Sequence, residues 1–182
     1  VLSSGHTSVL EHCYVNLSFE NVSVLAEQFL IEFRLASFTV KSRRYVDFSK
    51  AGYVSPVFTA NVQMAIFERT VESLFGTYDV LEAAGVPKED ARFVLPYCFC
   101  SNFFCSMNAR ELVHVMNELA YGRGSRIPEL RALGESLFLQ CEEKLPFLAV
   151  RKPEVYCPVQ ELDFASETPL RPDAPVTVLA GT

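Results

Sequence analysis

The most constraining feature of this chain is a change of hydrophobic period with no loop between the two patterns. From His12 to Glu20 apolar side chains alternate, with Cys13, Val15, Leu17 and Phe19 on one face and Tyr14, Asn16, Ser18 and Glu20 on the other. A period of two is the mark of a half-buried strand. From Val22 the period lengthens, and Val22, Leu25, Phe29 and Phe33 recur at helical spacing. This predicts a helix opening at Asn21 or Val22 and ending near Ala36 or Ser37, with those four residues as its buried stripe. Periodicity alone therefore supports a mixed α and β domain.

The rest of the chain fits one such domain. Its 182 residues suffice for a single sizeable core and are short for two. Phe38 to Val46 reads as extended and Ala51 to Pro56 as a turn or loop. Asn61 to Leu81 reads as the longest helix, carrying Val62, Ile66, Val71, Leu74 and Phe75. Gly85-Val86-Pro87 breaks it, and Pro87 suits the start of a short helix from Lys88 to Phe93. Cys98 to Met107 is apolar enough for either helix or strand. Ala109 to Leu119 and Pro128 to Lys144 are helices separated by Gly122 and Gly124; the second carries Leu130, Leu133, Leu137 and Cys141 on one face. From Val150 the chain is proline-rich and polar, a linker or tail over 151–182.

Composition removes several function classes. A formal charge of −6 argues against broad binding to nucleic acid or an anionic membrane. An anionic ligand must then be met by a local arginine cluster. No apolar run approaches the roughly 20 residues needed to cross a bilayer, and no signal peptide is visible, so the expected location is the cytoplasm. Six cysteines in a chain of this length do not form a small disulfide framework. Cys98, Cys100 and Cys105 with His114 downstream invite a zinc reading, but zinc ligand pairs are usually about two to four residues apart. The competing reading makes them small apolar fillers beside Phe99, Phe103 and Phe104, and no metal site is expected. Asn16-Leu17-Ser18 and Asn21-Val22-Ser23 match glycosylation sequons, a pattern common by chance.

Three blocks carry chemistry. The first is Gly5-His6-Thr7-Ser8-Val9-Leu10-Glu11-His12. The second is Arg34-Leu35-Ala36-Ser37-Phe38-Thr39-Val40-Lys41-Ser42-Arg43-Arg44-Tyr45. The third is Ala91-Arg92-Phe93-Val94-Leu95-Pro96, followed by Met107-Asn108-Ala109-Arg110-Glu111-Leu112-Val113-His114. In this order they resemble the motifs of the flavin-dependent thymidylate synthases, whose signature reads Arg-His-Arg-x-x-Ser-x-Asn-x-x-Ser-x-Arg-Tyr. Arg34, Ser37, Ser42, Arg44 and Tyr45 fit the signature. Glu32, Phe33 and Thr39 stand where it has Arg, His and Asn. Phe29 replaces a Gln, Val40 stands where a Glu or Gln is common, and Leu119 stands where a third phosphate arginine is usual, with Arg123 one turn beyond.

The resemblance implies an α+β fold in which helices pack on an antiparallel sheet, over residues 1–150. It also implies a reaction: methylenetetrahydrofolate donates a methylene to C5 of dUMP, NADPH reduces FAD, and the flavin delivers hydride. Ser42, Arg44 and Arg92 fall at nucleotide positions. His6, Ser8, Glu11, Arg34, Ser37, Asn108, Arg110 and His114 fall at FAD positions. Sites in that family are shared between subunits of a homotetramer, so the expected partners are a uridine nucleotide and further copies of the chain. Pro175 to Thr182 resembles the strand with which members of that family usually open, so the expectation is either that it begins a next tandem copy or that the sequence is cut one strand late.

The residues themselves leave other readings open. Phe29 and Phe33 suit a core better than a cofactor platform, Glu32 suits a surface ion pair with Arg34 or Lys41, and Ser37 suits a cap or turn at the helix end. His114 serves equally as a packing residue. At the level of the domain three functions remain: an active synthase, a non-catalytic copy that completes a neighbour's site, or a binder of some other nucleotide.

Overall fold

The computed structural model describes residues 6–156. A three-stranded antiparallel sheet forms its centre, from β1 (Tyr14–Ser23), β2 (Ala36–Val40) and β3 (Cys100–Asn108), with β3 in the middle. The segment from Cys98, open between helix and strand in the sequence, thus becomes the central strand. In register, Leu17 and Phe38 both face Cys105, and Phe19 and Val40 both face Phe103. On β3 the odd positions Ser101, Phe103, Cys105 and Met107 are buried, while Phe104 is exposed. One face of the sheet therefore carries the core and the other meets solvent, as antiparallel sheets allow.

The helices are α1 (Val24–Ile31), α2 (Asn61–Ala83), α3 (Lys88–Ala91), α4 (Ala109–Ala120) and α5 (Pro128–Lys144). In α4, Leu112, Val115, Met116 and Leu119 are buried against the sheet and against Leu130, Leu137, Phe138 and Cys141 of α5. The close approach of α4 and α5 depends on Gly134. A Cβ there would meet the Ala120 nitrogen and the Leu119 Cβ at 2.8 Å each. A second core of Val24, Phe48, Tyr78, Ala91, Leu95 and Phe99 ties α2 and α3 to the segment after β2.

The first strand and first helix depart from the periodicity. β1 continues through Val22 to Ser23, because a bulge after Phe19 re-phases the strand. Asn21 absorbs the bulge at φ 55°, a left-handed conformation that Asn tolerates better than most residues. Ser23 then caps α1, accepting from the Ala26 nitrogen at 3.1 Å. The helix starts two residues late and ends at Ile31, five residues early, because Ala36–Val40 is taken by pairing with β3. The buried residues of α1 are Val24, Ala26, Glu27 and Leu30. Leu25 lies on the exposed side, Val22 belongs to the strand, and Phe33 is buried beyond the helix end. The expected stripe of Val22, Leu25, Phe29 and Phe33 is therefore corrected. So is the extended reading of Phe38 to Val46, since the strand stops at Val40 and a turn comes after it.

The long helix α2 buries Val71 and Tyr78, but Val62 and Ile66, expected on its stripe, are exposed. No helix among the described residues is long and apolar enough to cross a membrane. Residues 1–5 and 157–182, including the terminal strand signal, lie outside the described residues.

Candidate functional site

Two concave regions are lined by five of the eleven predicted site residues: Glu11, Asn108, Arg110 and His114 in one, Arg92 in the other. The larger is a cavity of about 600 Å³ lined by Thr7, Leu10, Glu11, Leu35, Asn108, Arg110, Glu111, Val113, His114, Lys152 and Tyr156. The turn Ser8–His12 brings Glu11 to it, and the β3–α4 junction brings Asn108, Arg110 and His114. Asn108 also caps α4, its side chain accepting from the Glu111 nitrogen at 2.8 Å. Its carbonyl oxygen thus has a structural task that the motif alone does not reveal.

Charge in this cavity is balanced. Arg110 forms an ion pair with Glu11, and Lys152 and Glu111 add one charge of each sign. Leu10, Leu35 and Val113 supply apolar wall. Such a cavity suits a planar ring with a polar edge better than a free phosphate. His114 sits edge-on to Phe33, with ring centroids 5.5 Å apart, and its Nδ1 lies 2.9 Å from the Tyr156 hydroxyl. Burial, with Glu118 and Glu111 nearby, pushes the Tyr156 phenol above its ordinary pKa, so it keeps its proton. His6 and Ser8 are exposed and lie outside the lining.

The second region is a cleft of about 290 Å³ lined by Val24, Gln28, Arg43, Arg92, Phe93, Leu95, Tyr97 and Phe99. Here the surplus is positive. Arg43 is anchored by Glu27, whose carboxylate is fully buried and also accepts from Ser101 and from Gln28 at 3.1 Å. Arg92 donates through Nε to the Glu89 carbonyl at 2.9 Å. Arg44 reaches the Glu89 carboxylate at 3.8 Å, and the Ser42 hydroxyl accepts from the Arg44 nitrogen at 3.3 Å. The segment Ser42–Arg44 and Arg92 thus converge beside Glu89. Guanidinium groups lining a cleft together with Phe93, Tyr97 and Phe99 match a phosphate attached to a flat base. Arg43 and the buried Glu27 behind it escaped the motif reading. A Glu in a helical stretch whose only other polar residue is Gln28, 16 residues before an Arg, was the available signal.

Other predicted positions fall elsewhere. Ser37 lies in β2 opposite Ser106 and neither caps a helix nor makes a turn. Arg34 is exposed in the turn after α1 and has no hydrogen bond or ion pair among the described residues. Glu32 pairs with Arg123 at 3.1 Å rather than with Arg34 or Lys41. The Arg123 guanidinium also lies 3.5 Å from Glu118 and 5.2 Å from the Phe29 ring centre. Leu119 is fully buried, so its side chain is core rather than an anion contact. Cys100 and Cys105 are separated by an odd number of strand positions and face opposite sides of β3. Among the described residues no group of three His, Cys, Asp or Glu side chains is placed to hold a metal ion.

Comparison with known proteins identifies the family of the chain. A family model described as Thymidylate synthase complementing protein matches residues 1–147. The chain belongs to that family. Among its relatives, a flavin-dependent thymidylate synthase of Nitratidesulfovibrio vulgaris is 35% identical over 96% of this chain and 77% of the relative. One from Geobacter sulfurreducens is 39% identical over 63% of this chain and 51% of the relative. One from Saccharolobus solfataricus is 31% identical over 79% of this chain and 55% of the relative. The chain thus spans about half the length of the latter two. The family match takes in both sites, but it stops before Lys152 and Tyr156, which also line the larger cavity.

Proposed function

We propose that this chain is a flavin-dependent thymidylate synthase domain that binds a uridine nucleotide in the arginine cleft and a flavin ring in the larger cavity. The observation that carries this reading is the division of charge between the two sites. In the cleft Arg43 is offset by the buried Glu27, which leaves the Arg92 guanidinium as a positive surplus, whereas the cavity with Glu11, Arg110, Glu111 and Lys152 is neutral. A nucleotide monophosphate needs the former. The flavin ring, uncharged in its oxidised form, needs the latter, with donors and acceptors for its polar edge and apolar wall for its rings.

The residues fit both groups. Arg92 and Arg44 would hold the phosphate by charge-assisted bonds, with the Ser42 hydroxyl beside them. Asn108, Arg110 and His114 would line the flavin edge, and Leu10 and Val113 its apolar part. When bound, FAD supplies the hydride that converts the transferred methylene to a methyl. No protein nucleophile is called for, so the chain would act by positioning and by excluding water; the cleft lies at the Phe99 end of β3 and the cavity at its Asn108 end, so a base in one copy's cleft would be served by the flavin of another copy. C5 gives up a proton and receives the methylene carbon. NADPH and methylenetetrahydrofolate are the co-substrates this reading requires. Arg34, exposed and unpaired among the described residues, is suited to a ligand shared with a second copy, which supports a homo-oligomer.

The test is an absorbance spectrum of the purified chain after FAD is added and excess removed, followed by dUMP titration of the parent and of Arg92→Ala. A retained flavin band and dUMP binding weakened about 10-fold or more by the substitution are expected, the latter from loss of a charge-assisted bond. Absence of the flavin band together with unchanged dUMP binding in the variant would sink the reading. Flavin binding only when an intact synthase is mixed in would favour a copy that completes a neighbour's site.

A further inference from the structure

We infer that residues 149–156 form a strap in which Tyr156 is a positioning residue for His114, holding the imidazole as the tautomer that carries its proton on Nε2. The inference rests on the flavin reading of the cavity, and its strap lies after residue 147, where the family-model match ends.

The strap is built in. After α5 a short turn, Pro146–Leu148, buries Leu148 completely. The chain then crosses Asn117, a fully buried side chain of α4. The Asn117 amide donates to the Val113 carbonyl at 2.7 Å and to the Val150 carbonyl at 2.8 Å, and its oxygen accepts from the Lys152 nitrogen at 2.7 Å. Two of those three bonds go to the strap. Arg151 adds a second anchor: it pairs with Glu135 at 2.7 Å, donates to the Tyr121 hydroxyl at 2.9 Å, and lies 4.2 Å from the Phe138 ring centre. A buried amide spent on an irregular segment fixes that segment's height over α4, and so places the residues at its far end.

Tyr156 stands at that end. Its hydroxyl meets His114 Nδ1 at 2.9 Å, and both residues line the cavity. A phenol is a strong donor and a neutral imidazole nitrogen a good acceptor. The phenol O–H therefore donates to Nδ1, and the ring proton stays on Nε2. The same relation, in which a partner on one ring nitrogen sets the state of the other, governs histidines at metal and catalytic sites. Phe33 lies edge-on to the imidazole and restricts ring rotation without competing for either nitrogen. The result is an imidazole whose free nitrogen is a donor, suited to a carbonyl oxygen or unprotonated nitrogen at the edge of a flat ligand.

Ring ¹⁵N NMR of the apo chain at a pH where histidines are neutral tests this directly. Three histidines are present, and His114→Gln assigns the signal. His114 should show one protonated and one bare nitrogen, with the proton on Nε2, and Tyr156→Phe should convert this to an averaged mixture with circular dichroism unchanged. FAD retention should fall about two- to tenfold in Tyr156→Phe, the size of one lost hydrogen bond. A His114 ring spectrum identical in Tyr156→Phe would overturn the inference, as would a proton on Nδ1 in the parent. Because the ring spectrum is read without ligand, failure of FAD to bind would count against the flavin reading and leave the tautomer result to stand or fall separately.

Discussion

Replacing Glu27 by Gln probes the buried carboxylate behind the arginine cleft. Glu27 is fully buried on α1, and one oxygen accepts from Arg43 and Gln28 while the other accepts from Ser101. An ion pair broken from one side in a protein interior costs about 3–5 kcal/mol. Two features reduce that figure here. The Arg43 side chain keeps 21% of its exposure and can recover some hydration. The Ser101 hydroxyl can turn to accept from the new amide, so one hydrogen bond survives in neutral form. The expected loss is therefore about 2–3 kcal/mol, near that of a charged hydrogen bond. Urea unfolding monitored by circular dichroism should show a lower midpoint at unchanged slope, and melting should drop by about 5–10 °C for a domain of this size. The double variant Glu27→Gln/Arg43→Met should recover at least about 1 kcal/mol, because no stranded charge remains. Loss below about 0.5 kcal/mol in the single variant, or strict additivity in the double, would show that Arg43 is not held by Glu27, and the account of the cleft would fail.

The same packing sets other outcomes. Leu119→Arg, which places the family's usual residue at that position, should yield insoluble or unfolded protein, since Leu119 is fully buried and a buried unpaired cation costs several kcal/mol; solubility and circular dichroism decide it. Gly134→Ala should lower stability by about 1–3 kcal/mol in urea unfolding, because the new Cβ would meet α4 backbone and side-chain atoms at 2.8 Å in a packed interface. Burial pushes the Cys105 thiol from its usual 9.0 up to about 11, and the Cys98, Cys100 and Cys141 thiols also rise. Between pH 9 and about 11 the unfolded chain then binds fewer protons than the folded one, so stability should fall across that window as pH rises; a denaturation series from pH 8 to about pH 10.5 checks the sign.

The alternation from His12 to Glu20 and the helices at Ala109 and Pro128 were legible from period and boundary residues; the extent of the helix at Asn61 was legible too, but not its buried face, since Val62 and Ile66 are exposed. The β1–α1 junction was misplaced because a bulge at Asn21 keeps strand geometry running through residues whose spacing also suits a helix. The end of α1 was misplaced because pairing with β3, a contact some 70 residues away in sequence, overrides local propensity. Arg44, Arg92, Arg110 and His114 were visible because they fall in the blocks that resemble the family's motifs, and Arg92 and Arg110 also because each stands beside apolar sequence. Glu27 and Lys152 were not, because their roles arise only when α1 meets Arg43 and when the segment after α5 folds back across Asn117.

The departures at Phe29, Glu32 and Leu119 are best understood together. Reversing the charge at position 32 would leave a lone carboxylate on this wall, but Arg123 answers it at 3.1 Å while stacking on Phe29 at 5.2 Å. Arg123 is carried by the turn Arg123–Arg126, and Gly124 of that turn packs directly on the Leu119 backbone. The exchange thus links α1, the end of α4 and the adjoining turn into one contact. An ion pair this exposed contributes about 0–1 kcal/mol to stability, so its main physical effect is on local charge: Arg123 offsets one of the two carboxylates, Glu32 and Glu118, that it faces. In the larger cavity Arg110 is likewise paired, with Glu11. Under the proposed flavin reading, Arg34, exposed and without a hydrogen bond or ion pair among the described residues, would be a cation available to the pyrophosphate of FAD, so Arg34→Ala should weaken retention of the flavin absorbance band, and unchanged retention would remove Arg34 from that role.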